Sequence, residues 1–189
     1  WNVTGTSTVN GQLNIASVSG TKILGNLTVN GNWNNVSNEA FTITGNLDVN
    51  GVFTSGTGIY SLTGAAKTIT GTVPFTIQNV STTGTYTNFA NLTISTVFSG
   101  TGTFSQASTG ILNIGVSPIS FTITTFNASA AGNNVNYTGT AAQNVRIPND
   151  GAYHHLGING SSTKFLAGIT NINGNINITS TLDVTAANF

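Results

Sequence analysis

Apolar and polar residues alternate along most of this chain. Leu13/Ile15, Leu27/Val29, Phe41/Ile43, Leu47/Val49 and Phe75/Ile77 each place two apolar side chains on one side of an extended segment. Leu92/Ile94, Leu112/Ile114, Phe121/Ile123, Val145/Ile147, Ile176/Ile178 and Leu182/Val184 do the same. Asn, Thr, Ser or Gly flank every pair. A period of two predicts strands with one buried face. No stretch repeats apolar residues at i, i+3, i+4 and i+7 through three turns, so no helix is predicted. The fold class is all-β.

A longer period lies above the alternation. Val9-Asn10-Gly11, Val29-Asn30-Gly31 and Val49-Asn50-Gly51 recur every 20 residues, and Ile69-Thr70-Gly71 is read in the same phase. Ile23 then aligns with Ile43, and Trp33 with Phe53 and Val73. Near the end, Asn173-Gly-Asn-Ile-Asn-Ile178 echoes Asn10-Gly-Gln-Leu-Asn-Ile15. Val52-Phe-Thr-Ser-Gly-Thr-Gly58 resembles Val97-Phe-Ser-Gly-Thr-Gly102. Self-similarity at this period predicts a parallel β-solenoid with ~20-residue rungs. At one strand spacing of ~4.8 Å per rung, the chain makes about nine rungs and a rod near 45 Å long. Gly at a fixed phase supplies either a left-handed turn or a close backbone approach. A β-sandwich or jelly roll is the alternative, since it too needs many short alternating strands. The chain reads as one elongated domain, 1–189. It has a regular repeat region over 1–114, a less regular one over 115–165 and a repeat-like end over 166–189.

Charge narrows the function. Lys+Arg is 4, Asp+Glu is 4, and Cys and Met are absent. Four basic residues cannot neutralise a phosphate backbone, which excludes nucleic acid as partner. No apolar run is long enough for membrane insertion. Without Cys there is no disulfide framework and no thiolate metal site. Disorder is not expected, because Val, Ile, Leu and Phe make up about 27% of the residues. The chain starts at Trp1 without a basic and apolar leader, so it is read as a processed chain or a fragment.

The run Gly45 to Gly71, with NLDVNG, FTSGTG and LTGAAKTITG, resembles the β-strand-repeat regions of large secreted bacterial adhesins of the Bacteroidetes type. LGINGSSTKFLAGITNINGNINITSTLDV (156–184) has the same appearance. The resemblance implies an extracellular or cell-surface location and a structural or adhesive role.

Candidate chemistry is sparse. His154-His155 is the only His pair, and adjacent residues on a strand point to opposite faces, so the two are not expected to share a metal. Pro148-Asn-Asp-Gly151 reads as a tight turn. A calcium site wants several carboxylates together, and Glu39, Asp48, Asp150 and Asp183 are far apart in sequence. Glycoside hydrolysis needs two carboxylates about 5–10 Å apart. The 20-residue phase puts Thr28 and Thr68, not an acid, beside Asp48. No enzyme, cofactor or metal is therefore expected. Asn-x-Ser/Thr occurs nine times, but 27 Asn among 50 Ser and Thr give about seven by chance. Lys22, Lys67 and Lys164 are expected to face solvent. Thr-x-Thr pairs such as Thr42/Thr44 are not repeated in phase, which argues against a flat ice-binding array. Five Asn-Gly pairs mark labile bonds.

A solenoid leaves an unpaired strand edge at each end. No capping helix is visible at either terminus. Head-to-tail pairing of copies would cover both edges, and zero net charge removes the repulsion that keeps copies apart. The expected function is an extracellular structural protein: a self-assembling filament subunit or adhesin stalk, with a second copy as partner. Subunit contact is assigned to Trp1, Val3, Val9, Ile176, Ile178, Leu182, Val184 and Phe189. The alternative is a glycan- or surface-binding module using exposed Tyr and Asn around 130–160.

Overall fold

Strands with one apolar side must bury it against another sheet or inside their own coil. The computed structural model describes residues 1–17, 19–116 and 120–185, and in it the chain coils. It is an all-β parallel β-solenoid of about 9 turns with ~20-residue rungs, and no α-helix occurs among the described residues. Every strand ladder among them is parallel and joins one rung to the next. A sandwich built from antiparallel hairpins is thereby ruled out.

Each rung carries short strands on up to three faces. Rung 1 holds β1 (Asn2–Val9) and β2 (Gln12–Asn14). Rung 2 holds β3 (Ile23–Val29) and β4 (Asn32–Asn34). β1 and β3 each turn a corner, where their shared register shifts between Val3 and Thr6. Rung 3 holds β5 (Phe41–Ile43), β6 (Leu47–Val49) and β7 (Val52–Thr54). Rung 4 holds β8 (Ile59–Leu62), β9 (Lys67–Gly71) and the start of β10 (Phe75–Thr82). Rung 5 takes the rest of β10, β11 (Thr85–Asn88) and the start of β12 (Asn91–Ser99). Rung 6 takes the rest of β12, β13 (Thr103–Gln106) and β14 (Ile111–Ile114).

The later rungs are less regular. In rung 7, Phe121 bridges to Phe98 ahead of β15 (Thr125–Asn127) and β16 (Asn134–Tyr137). Rung 8 holds β17 (Gln143–Val145), β18 (Ala152–Tyr153) and β19 (His155–Ile158). Rung 9 holds β20 (Lys164–Leu166), β21 (Asn171–Ile172) and β22 (Ile176–Ile178). β23 (Leu182–Asp183) then pairs with β20.

The core is a set of columns, because parallel pairing in register puts inward side chains directly above one another. On the third face one column runs Leu13, Trp33, Phe53, Phe75, Leu92, Leu112, Val135, Leu156 and Ile176. Successive rungs along it therefore take 20, 20, 22, 17, 20, 23, 21 and 20 residues. Along this column the strict phase ends at rung 4, and several sequence-based alignments shift there; on the first face Ile43 already sits over Leu24, not Ile23. Ile69 stacks on Leu47, and Gly71 on Val49. Phe75, not Val73, sits over Phe53, with ring centroids 5.7 Å apart. Asp48 lies between Thr28 and Thr70, not Thr68. The segments starting at Val52 and Val97 occupy different faces, since Val97 pairs with Asn79, which pairs with Ile59.

Gly and Asn at the corner after the second face act by closeness, not by a left-handed turn. Gly11, Gly31 and Gly51 are absent from the positive-φ glycines. A Cβ on Gly31 would collide with the Gly11 carbonyl oxygen, and one on Gly51 with that of Gly31. Beside them, Asn30 donates its side-chain amide to Asn10 (2.8 Å) and Asn50 to Asn30 (3.1 Å). Each outward amide is satisfied by its copy one rung away, which is how so uncharged a surface stays paired.

Candidate functional site

The residues assigned to subunit contact fall on the first and last rungs. In rung 1, Val3, Val9 and Leu13 point inward and pack on the core, yet stay partly exposed. Trp1 is 51% exposed and stacks on Trp33 at 6.5 Å. Trp1, Val3, Val9, Leu13 and Trp33 line an open apolar hollow of about 400 Å³. In rung 9, Ile176 and Ile178 stack over Leu156 and Ile158 and are exposed on their other side. Leu182 packs against the core and Val184 is exposed. Phe189 lies outside the described residues. The structure thus divides these residues between the two ends of the coil and brings none of one set against the other.

The four carboxylates are each engaged locally. Glu39 pairs with Lys22 at 2.6 Å. Asp48 accepts from Asn50 (2.9 Å) and from the Thr70 hydroxyl (2.9 Å). Asp150 accepts the N–H groups of Ala128 (3.1 Å) and Ser129 (2.8 Å), and its turn closes with Gly151 donating to Pro148. The Thr185 hydroxyl and N–H hold the Asp183 carboxyl below the usual carboxylate range. Among the described residues, no three His, Cys, Asp or Glu gather as metal ligands would.

Two lysines depart from the expected solvent-facing placement. Lys22 is buried beside Glu39. Lys164 is fully buried, and its Nζ donates to the carbonyls of Gly139 (2.8 Å) and Ser162 (2.9 Å). Burial lowers the Lys164 pKa from its ordinary value. Nothing in a single sequence signals either burial, because it depends on which rung sits above.

The tyrosines also differ from expectation. Tyr137 and Tyr153 lie in the core, their hydroxyls 2.8 Å apart. The Arg146 N–H donates to the Tyr137 hydroxyl, and the Tyr153 hydroxyl donates to the Arg146 carbonyl. Burial pushes the Tyr137 hydroxyl up to about 12. The glycan-binding alternative used exposed Tyr and Asn in this stretch; Tyr137 and Tyr153 are buried, while Asn144 and Asn149 are exposed.

His154 and His155 are closer than strand alternation allows. They sit at the corner between β18 and β19, with ring centroids 4.2 Å apart and planes at 88°. The Gly132 N–H donates to His154 Nδ1 (3.0 Å), and the Asn175 N–H to His155 Nδ1 (2.9 Å). Both Nδ1 atoms therefore act as acceptors, which places the proton of each neutral ring on Nε2. With both nitrogens so committed, neither ring offers a lone pair to a metal in this state.

Searches against protein-family models, curated proteins and solved structures each return no match.

Proposed function

We propose that this chain is an extracellular structural protein, a β-solenoid rod that serves as a filament subunit or adhesin stalk by pairing strands end to end. The observation that carries the reading is the equivalence of its first and last rungs. β2 and β22 lie on the same face and carry the same pattern, Gln12-Leu-Asn-Ile15 and Asn175-Ile-Asn-Ile178. β2 of a second copy set on β22 would place Leu13 over Ile176, Asn14 over Asn177 and Ile15 over Ile178, with β23 already covering β20 on the first face in place of that copy's Asn2 and Val3. Asn14 already accepts a side-chain bond from Asn34 (2.9 Å), so the same bond type would continue through Asn177. The apolar gain comes from covering the exposed faces of Ile176 and Ile178 and the hollow under Trp1. The low charge and the resemblance to secreted adhesin repeats support the extracellular setting.

Electron microscopy of the purified chain at neutral pH tests this. The expected result is uniform fibres with an axial repeat near ~4.8 Å. Ile176→Lys with Ile178→Lys should leave the single chain folded, since both side chains are already about half exposed, and should abolish the fibres. Isolated short rods at high concentration would overturn end-to-end pairing.

A further inference from the structure

We propose that His154 and His155 form an acid-released clasp that holds rung 8 to the rungs on either side. His154 reaches back to rung 7 through Gly132, and His155 reaches forward to rung 9 through Asn175. Both bonds use Nδ1 as acceptor, so both need the neutral ring. Histidine changes charge between pH 5 and 8. Once protonated, Nδ1 presents a hydrogen to the backbone N–H that was its donor, and the bond becomes a repulsion.

The surroundings offer the charged pair little compensation. The stretch of rung 7 packed below it, residues 125–138, has no Lys, Arg, Asp or Glu, and its titratable side chain is the core residue Tyr137. The stretch of rung 9 above it, residues 171–178, has no titratable side chain at all. Rung 8 itself supplies Arg146, Tyr153 and Asp150. Arg146 donates to the carbonyls of Ile123 and Thr124, and the Asp150 carboxylate is bound to Ala128 and Ser129. The two rings, edge to face at 4.2 Å, would then carry like charges.

Rung 9 is the element released. His155 lies over Gly174, where an added Cβ would come within 2.7 Å of Nδ1, so the approach of ring to backbone leaves no room for a side chain. The neighbouring backbone bonds, Gly174 N–H to His154 O (2.8 Å) and Leu156 N–H to Asn175 O (3.0 Å), depend on the same approach. The clasp belongs to the single chain and holds whether or not copies stack.

Amide hydrogen exchange read residue by residue at pH 8 and pH 5, corrected for intrinsic rates, tests it. At pH 5 the protection of Asn175 and Gly132 should fall by about tenfold, while Leu47 and Val49 in rung 3 keep theirs. His154→Gln with His155→Gln supplies a side-chain acceptor that does not titrate and should remove the pH dependence. Equal protection of Asn175 at both pH values would overturn the clasp, as would a pH-dependent loss that persists in the double Gln variant. The ¹⁵N chemical shifts of the native imidazoles at pH 8 give a readout that needs no variant. The Nε2–H tautomer is expected, and an Nδ1–H tautomer on either ring would overturn the assignment.

Discussion

Rungs 1–3 and rungs 7–8 solve one problem in two ways. In rungs 1–3 the positions on the second and third faces sit over their copies 20 residues away. Outward amides bond their copies, as Asn10, Asn30 and Asn50 do, and glycine backbones approach at the same corner. In rungs 7–8 the loops lengthen, the copies fall out of line, and single long side chains take over the stray backbone groups. Arg146 donates to the Ile123 and Thr124 carbonyls. Gln143 donates to Ile114 (2.9 Å) and Val116 (2.6 Å), and Asp150 accepts from Ala128 and Ser129. Buried backbone groups must be paired in both regions. A repeat pairs them by copying one bond, whereas an irregular rung needs a specific residue for each.

The two buried lysines probe this contrast most strongly. Lys22, near the regular rungs, is paired with the Glu39 carboxylate, while Lys164, beside the irregular ones, donates to backbone carbonyls. Lys22→Met breaks the largely buried ion pair with Glu39 and should cost about 3–5 kcal/mol. Lys164→Met strands neutral carbonyls and should cost about 1–3 kcal/mol. Denaturant titration of both variants checks the order, and a larger loss for Lys164→Met would remove the distinction.

Alkaline titration compares a buried tyrosine beside the regular rungs, Tyr60 of rung 4, with one inside the irregular ones, Tyr137 of rung 7. Tyr60 accepts from the Trp33 indole (2.9 Å), and Tyr137 bonds Tyr153. Burial raises the hydroxyls of both Tyr60 and Tyr137 to about 12. In the unfolded chain each ionises near ~10. Their contribution is therefore fully present below pH 10 and is lost as pH rises from 10 to 12, about 3 kcal/mol for each. Lys164 acts the opposite way, because its folded pKa is lowered. Its contribution grows as pH rises from the folded value to the ordinary one near 10.5. Net stability should fall above pH 10, and either Tyr60→Phe or Tyr137→Phe should flatten the fall by a similar amount. A fall unchanged in both variants would locate its cause elsewhere.

The sequence disclosed what depends on period and hid what depends on register across unequal rungs. Alternation and the Asn-Gly phase led directly to the parallel coil, and Leu13, Trp33 and Phe53 share a column as 20-residue spacing requires. The 22- and 17-residue rungs that follow moved Phe75 into that column and set Asp48 against Thr70. The inward Tyr137 and Tyr153, the buried Lys164 and the facing His154 and His155 all belong to stretches without the phase. Their neighbours lie 16 to 25 residues away at no fixed interval, as Tyr137 with Tyr153 and Lys164 with Gly139 show. No local pattern encodes such a partner.

A smaller effect tests whether the regular corner depends on closeness. Gly11 and Gly51 occupy the same phase, and neither has a positive φ, so conformational preference does not separate them. They differ in surroundings. A Cβ on Gly11 meets nothing within 4 Å, whereas one on Gly51 strikes the Gly31 carbonyl and crowds that of Asn30. Gly51→Ala should cost about 1–3 kcal/mol, since the strain falls on backbone that cannot swing aside as a side chain does. Gly11→Ala should stay within about 0.5 kcal/mol of the parent. Thermal melting of the two variants in the single-chain state separates them. In end-to-end fibres the difference should shrink, because rung 9 of another copy would then press on Gly11 as rung 2 presses on Gly51. Equal costs in the single chain would mean that the glycines are kept for flexibility, and that the amide ladder alone sets the corner.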